Sequence, residues 1–132
     1  MEHTALIYMM VMMSAADSDM TDNELAVIGD LIRTLPAFDD FNSEMLPELA
    51  ANCAEILNQD DGLDTLLGPI NDTLPERLHE TAYLLACDVA AADGEVQQEE
   101  LRLLEMVRHR LDVDRLSAAA IERAARARFQ TV

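Results

Sequence analysis

An all-α fold is what this sequence predicts, and three observations carry it. Half of the 132 residues are hydrophobic, chiefly Ala, Leu, Met, Ile and Val, against five aromatics and four glycines. That balance favours packed helices over a sheet with tight hairpins. Apolar residues recur at helical spacing, as in Leu25, Ile28, Leu31, Ile32 and Leu35, which line one face of a 3.6-residue helix. One helix–turn–helix pattern also occurs twice. The length suits a single domain, residues 1–132, with enough apolar side chains to bury a core.

Seven helices account for the chain, forming a compact bundle. The first covers about 3–16 and is apolar nearly all round, with Met9, Met10, Met12 and Met13 expected in the core. The second, about 21–35, opens with "TDNE", where Thr21 can cap the helix and Glu24 can reach back to it. "LPAFDDFN" breaks the pattern, and Phe38 and Phe41 are expected to fold back onto the core. Ser43 can cap a third helix reaching about Asn58, with Pro47 in the tolerated first turn. A short fourth helix follows "NQDDG" and is expected to end at Pro69. The fifth runs about 75–92 and the sixth about 97–111, the latter with Leu101, Leu104, Val107 and Leu111 on one face. The seventh, about 115–129, is expected to pack through Leu116, Ala120, Ile121 and Ala124.

A shift of 76 residues lays 5–35 over 81–111, with six of 31 positions identical. Asp17 meets Asp93, Asp19 meets Glu95, Glu24 meets Glu100 and Leu25 meets Leu101. Apolar stripe, acidic turn and helix start agree together, the signature of a duplicated helical hairpin. Two such hairpins packed face to face give approximate two-fold symmetry.

Charge narrows the function. Twenty-six acidic residues face nine basic ones, all arginine, for a formal net charge of −17. Such a chain is repelled by nucleic-acid phosphates and by anionic membrane surfaces; cations and basic protein surfaces are the expected partners. Residues 1–100 hold 22 acids and two arginines, a local net of −20, whereas residues 101–132 hold four acids and seven arginines, a local net of +3. Those arginines are expected to pair mainly within the molecule. The opening "MEHTALIYMMVMMSAAD" has no basic leader and is shorter than the ~20 residues a membrane span needs, so the expectation is a cytoplasmic protein without direct membrane insertion. Cys53 and Cys87 stand apart on apolar faces and read as reduced core residues.

Carboxylates cluster at both turns: Asp17, Asp19, Asp22 and Glu24 in the first, Asp93, Glu95, Glu99 and Glu100 in the second. Oxygen donors at this spacing suit hard divalent cations, Ca²⁺ or Mg²⁺ before Zn²⁺. Acids in a helix's first turn also occur with no ligand, because they complement the exposed backbone amides. Neither turn is an EF-hand. Counted from Asp17, position six is Asp22 and position twelve Ile28; counted from Asp93 they are Gln98 and Leu104, where that loop requires glycine and a bidentate glutamate. Gly94 suits the chain reversal itself. Asp88 is the sole charge between Thr81 and Ala92, and a carboxylate on an apolar face needs a partner. Its repeat counterpart is Met12, so the duplicated scaffold does not demand it; cation ligation, capping and arginine pairing all remain open. His3, His79 and His109 are scattered, and no phosphate loop, nucleophile elbow or Cys/His ligand set occurs. An enzyme is not expected.

"AADSDMTDNEL" and "AADGEVQQEEL", each following an apolar helix and opening another, resemble the TerB-like family, the tellurite-resistance B proteins and related modules. The pattern, two small residues, Asp-Gly-acid and then Glu-Leu, is complete at Ala91–Leu101 and lacks its glycine at Ala15–Leu25. The resemblance implies a bundle of about seven helices, a place in tellurite or general stress responses, and an acidic, divalent-cation-binding interaction module. It carries Asp93, Glu95 and Glu100 over as motif acids, with Asp17, Asp19 and Glu24 as their first-copy equivalents. The expectation is therefore a module that binds a divalent cation and docks onto a protein partner; the alternative is a metal-free adaptor using its acidic face. No redox centre is present to reduce an oxyanion, and the negative field repels tellurite.

Overall fold

The computed structural model describes residues 2–15, 22–92 and 98–132. Among them are seven α-helices and no strand: α1 (Glu2–Ser14), α2 (Asp22–Thr34), α3 (Leu46–Leu57), α4 (Gly62–Thr73), α5 (His79–Ala92), α6 (Gln98–Arg110) and α7 (Arg115–Arg128). Short 3₁₀ turns at Pro36–Phe38, Ser43–Met45 and Glu76–Leu78 join them.

The all-round apolarity of α1 makes it the central strut. Leu6, Ile7, Met9, Met10, Val11, Met12 and Met13 are all fully buried, and the helix packs against α2, α3, α4, α5 and α6. The four methionines thus fill the core. Its repeat counterpart α5 lies beside it, burying Ala82, Tyr83, Leu85, Ala86 and Cys87. The hairpins α1–α2 and α5–α6 touch reciprocally, α1 with α6 and α2 with α5, as an approximate two-fold requires. The covering helices break that symmetry: α3 and α4 cover α1, whereas α7 is the one further helix laid along α5.

Loops are tied by specific groups. His3 stacks on Phe38, ring centroids 5.7 Å apart, and meets Phe41 edge-on at 5.4 Å, so both phenylalanines fold back as expected. The ring nitrogens of His79 lie 3.0 Å from the carbonyl oxygens of Leu74 and Leu111, fastening the start of α5 to the end of α6. The α6–α7 reversal places Asp112 at φ 53°, with the Val113 amide donating to Arg108 and the Asp112 amide to His109. These two bonds satisfy carbonyls that the helix end leaves open. Asp114 then caps α7, its Oδ2 accepting from the Ser117 amide at 3.0 Å, which holds its carboxyl below the ordinary range.

Two expectations are corrected. Pro69 does not end α4, which runs on to Thr73. Leu66 and Leu67 before the proline, and Ile70 and Leu74 after it, are buried in one core, and that burial outweighs one lost backbone hydrogen bond. The second concerns the face of α7. Ala118 and Ala125 are its buried residues and Ile121 is half-buried, whereas Leu116 is 81% exposed and Ala120 and Ala124 are exposed. Ala118, Ile121 and Ala125 recur at helical spacing, and it is this face rather than Leu116 that packs inward on the core. In α6, likewise, Leu104 and Val107 are buried, as is Leu111 just after the helix, while Leu101 is 55% exposed.

Gly62 opens α4 where it abuts the end of α3. A Cβ there would lie 2.2 Å from the Ile56 carbonyl oxygen and 2.8 Å from Leu57 Cα. Backbone atoms cannot yield as a side-chain tip does. Gly62→Ala is therefore expected to destabilise the fold by about 1–3 kcal/mol despite the better helix propensity of alanine, read as a lower midpoint in urea unfolding.

Candidate functional site

Of the seven candidate ligands, Glu24, Asp88 and Glu100 lie within the described residues; Asp17, Asp19, Asp93 and Glu95 lie outside them, as do Thr21 and Gly94. Glu24 stands in the first turn of α2 and is half-buried. Glu100, at the same place in α6, is only 4% exposed. The duplicated helix start therefore leaves one carboxylate half-buried and the other buried.

Asp88 stands on the penultimate turn of α5 and is 2% exposed. Its Oδ1 lies 3.4 Å from Nε of Arg128, at the end of α7. The contact is a charge pairing rather than a well-aligned hydrogen bond, and Oδ1 accepts no hydrogen bond from the described residues. Burial pushes the Asp88 carboxyl above the ordinary aspartate range, and the Arg128 charge recovers part of that rise. Arginine pairing, one of the three roles open from sequence, thus has a named partner forty positions further along the chain.

Two polar features escaped sequence reasoning. Ser14 Oγ, at the end of α1, is buried and has no hydrogen-bond partner among the described residues; as the one hydroxyl in the apolar run from Met9 to Ala16, it was visible as an oddity. Tyr83 donates to Glu122 Oε2 at 2.6 Å, a link from α5 to α7 that no local pattern signals. Burial and this bond hold the Tyr83 phenol above its ordinary range. Both cysteines are free and buried, and burial pushes each thiol up to about 12. They remain protonated at neutral pH and are unfit as nucleophiles.

Among the described residues no three Asp, Glu, His or Cys side chains converge in a metal-holding group. No helix among them is long and apolar enough to cross a membrane. Intramolecular ion pairs engage Arg110 with Asp64 at 3.4 Å, Arg128 with Asp88, and Arg33 with Asp30.

A seven-helix bundle built on a duplicated hairpin, with an acidic turn in each copy, defines a small acidic helical module. The chain belongs to the TerB family: the family described as tellurite resistance protein TerB matches residues 3–124, which takes in both hairpins and most of α7. Neither the curated proteins nor the solved structures compared with the chain give a significant match.

Proposed function

We propose that this TerB-family module binds a divalent cation, Ca²⁺ or Mg²⁺, at its second acidic turn and docks onto a protein partner in a tellurite or general stress response in the cytoplasm. Asp93, Glu95 and Glu100 are the ligands of this reading. Asp17, Asp19 and Glu24 form a weaker counterpart, since "AADSDM" lacks the glycine of "AADGEV". What supports it is the complete acidic motif of the second copy, "AADGEV" followed by Glu100, in a chain that the TerB family matches over residues 3–124. Asp88 pairs with Arg128 and is the further candidate whose ligand role the Asp88→Asn variant tests.

Thermal unfolding tests this. A cation that binds only the native state adds about 2.7 kcal/mol at a hundredfold excess over Kd, a rise in Tm of several degrees. The rise should occur with millimolar CaCl₂ or MgCl₂ and disappear in Asp93→Asn/Glu100→Gln. That variant keeps all but two of the 26 acids, so general screening by the salt persists and only a specific site is lost. Equal gains in both proteins, or none in either, would leave the metal-free adaptor, a reading that the internal pairing of Asp88 with Arg128 favours.

A further inference from the structure

The seventh helix is attached differently from the other six. Each of α1 to α6 packs closely against at least two helices, whereas α7 packs closely against α5 alone. An open groove separates it from α6, with Tyr83 and Cys87 of α5, Leu104 and Arg108 of α6, and Glu122 and Ala125 of α7 around it. The repeat counterpart of α5, α1, is covered instead by α3 and α4, which brace each other. Of the 14 residues of α7 only Ala118 and Ala125 are buried and ten are exposed, whereas α1 buries nine of 13. Two alanines and the half-buried Ile121 withdraw little apolar surface from water. Much of the attachment therefore falls to two polar links, the Tyr83 hydroxyl to Glu122 at 2.6 Å and Arg128 to Asp88 at 3.4 Å.

We propose that α7 is a strap, which lifts from α5 while α1 to α6 stay folded and so uncovers the face of α5 that carries Tyr83, Cys87 and Asp88. Units that open below the global unfolding free energy are those with few buried apolar contacts, and α7 has the fewest buried residues of the seven helices. Lifting it breaks one close helix interface, and lifting any other helix breaks two or more. The hinge is defined by the chain before it. Leu111 and Val113 are buried, and the Asp112 and Val113 amides are bonded to the His109 and Arg108 carbonyls, so the anchored chain ends just before the Asp114 cap. The face beneath the strap is the part of α5 that the bundle can present without opening its core around α1.

The two free cysteines report on it within one molecule. Cys87 lies beside Glu122 and Ala125, under the strap, whereas Cys53 of α3 faces the Tyr8 carbonyl of α1, Sγ to oxygen 3.8 Å. Both are buried, so each reacts only when the structure over it opens. The purified chain is treated with iodoacetamide at pH 8 in a series of urea concentrations below the unfolding midpoint, and the two alkylated peptides are followed by mass spectrometry. Without urea Cys87 should react at least tenfold faster than Cys53. Its rate should also climb less steeply with urea, because lifting a strap exposes less surface than unfolding the bundle. Ile7→Val loosens the core that stays folded in the open state, and should speed Cys53 severalfold while leaving Cys87 unchanged. Arg128→Ala weakens the closed state and should speed Cys87 at least tenfold. Equal rates with equal urea dependence, or a matching response of both cysteines to Ile7→Val, would make α7 part of one cooperative unit and overturn the proposal. Fast labelling of Cys87 that is indifferent to Arg128→Ala would overturn it too, since the reagent would then enter by the groove.

Discussion

Ile7→Ala is expected to destabilise the protein by about 2–5 kcal/mol, the range for deleting a large aliphatic group from a site that cannot collapse. Ile7 is 0% exposed on a helix enclosed by five others, so no loop or surface can relax into the space. In a domain of this size the loss corresponds to a fall in Tm of order 10 °C. Leu116→Ala removes as many carbons from an 81% exposed position and should change stability by less than about 0.5 kcal/mol. Urea unfolding of both variants measures the contrast. Comparable losses would mean that α7 packs through Leu116 after all.

That contrast marks where the sequence was readable. A helix apolar on every face has to be surrounded, so the central position of α1 follows from its composition alone. In α7 the inward stripe is Ala118, Ile121 and Ala125, and its alanines are of the same type as the exposed Ala119, Ala120 and Ala124, so residue type alone did not mark the face. Pro69 misled for a related reason: local propensity ends a helix there, but the core on both sides of it carries the helix through. The helix termini of the hairpins agreed with the sequence to within one or two residues, because the acidic starts and apolar stripes are local signals, except at α5, which starts at His79 rather than near 75 because a 3₁₀ turn, Glu76–Leu78, takes up the residues after Pro75.

The candidate site was legible in part. The duplication singled out Asp88 as the charge its scaffold does not require, and the structure buries it. What sequence could not supply was Arg128, because a pairing across forty positions leaves no periodic trace. Nor did the repeat foretell that Glu100 is buried while Glu24 is half-buried. That difference arises from tertiary packing around α6, where the covering helices differ between the two halves.

Arg128→Ala should cost more than Asp88→Asn, although both remove the same ion pair. The arginine variant leaves a buried carboxylate without its cation, for which roughly 3–5 kcal/mol is typical. The lower end applies here, because the Arg128 side chain is 53% exposed and water reaches the gap. Asp88→Asn keeps the shape and removes the buried charge, and should be near neutral or mildly stabilising at pH 7. The pH dependence has a definite sign. The folded-state pKa of Asp88 is raised, so the native state binds its proton more tightly than the unfolded chain does. Its contribution to stability is full below the ordinary aspartate range and is lost as pH rises through the raised value. Asp88→Asn should flatten that decline, and Arg128→Ala should deepen it, with the arginine variant approaching wild type in acid, where Asp88 is protonated. Difference plots of unfolding free energy against pH, variant minus wild type, isolate this group from the other acids. The same pair of variants bears on the cation site. If Asp88 serves Arg128, the Ca²⁺-dependent rise in Tm survives Asp88→Asn; if Asp88 is a ligand, that rise falls with it while Arg128→Ala, which frees the carboxylate, increases it.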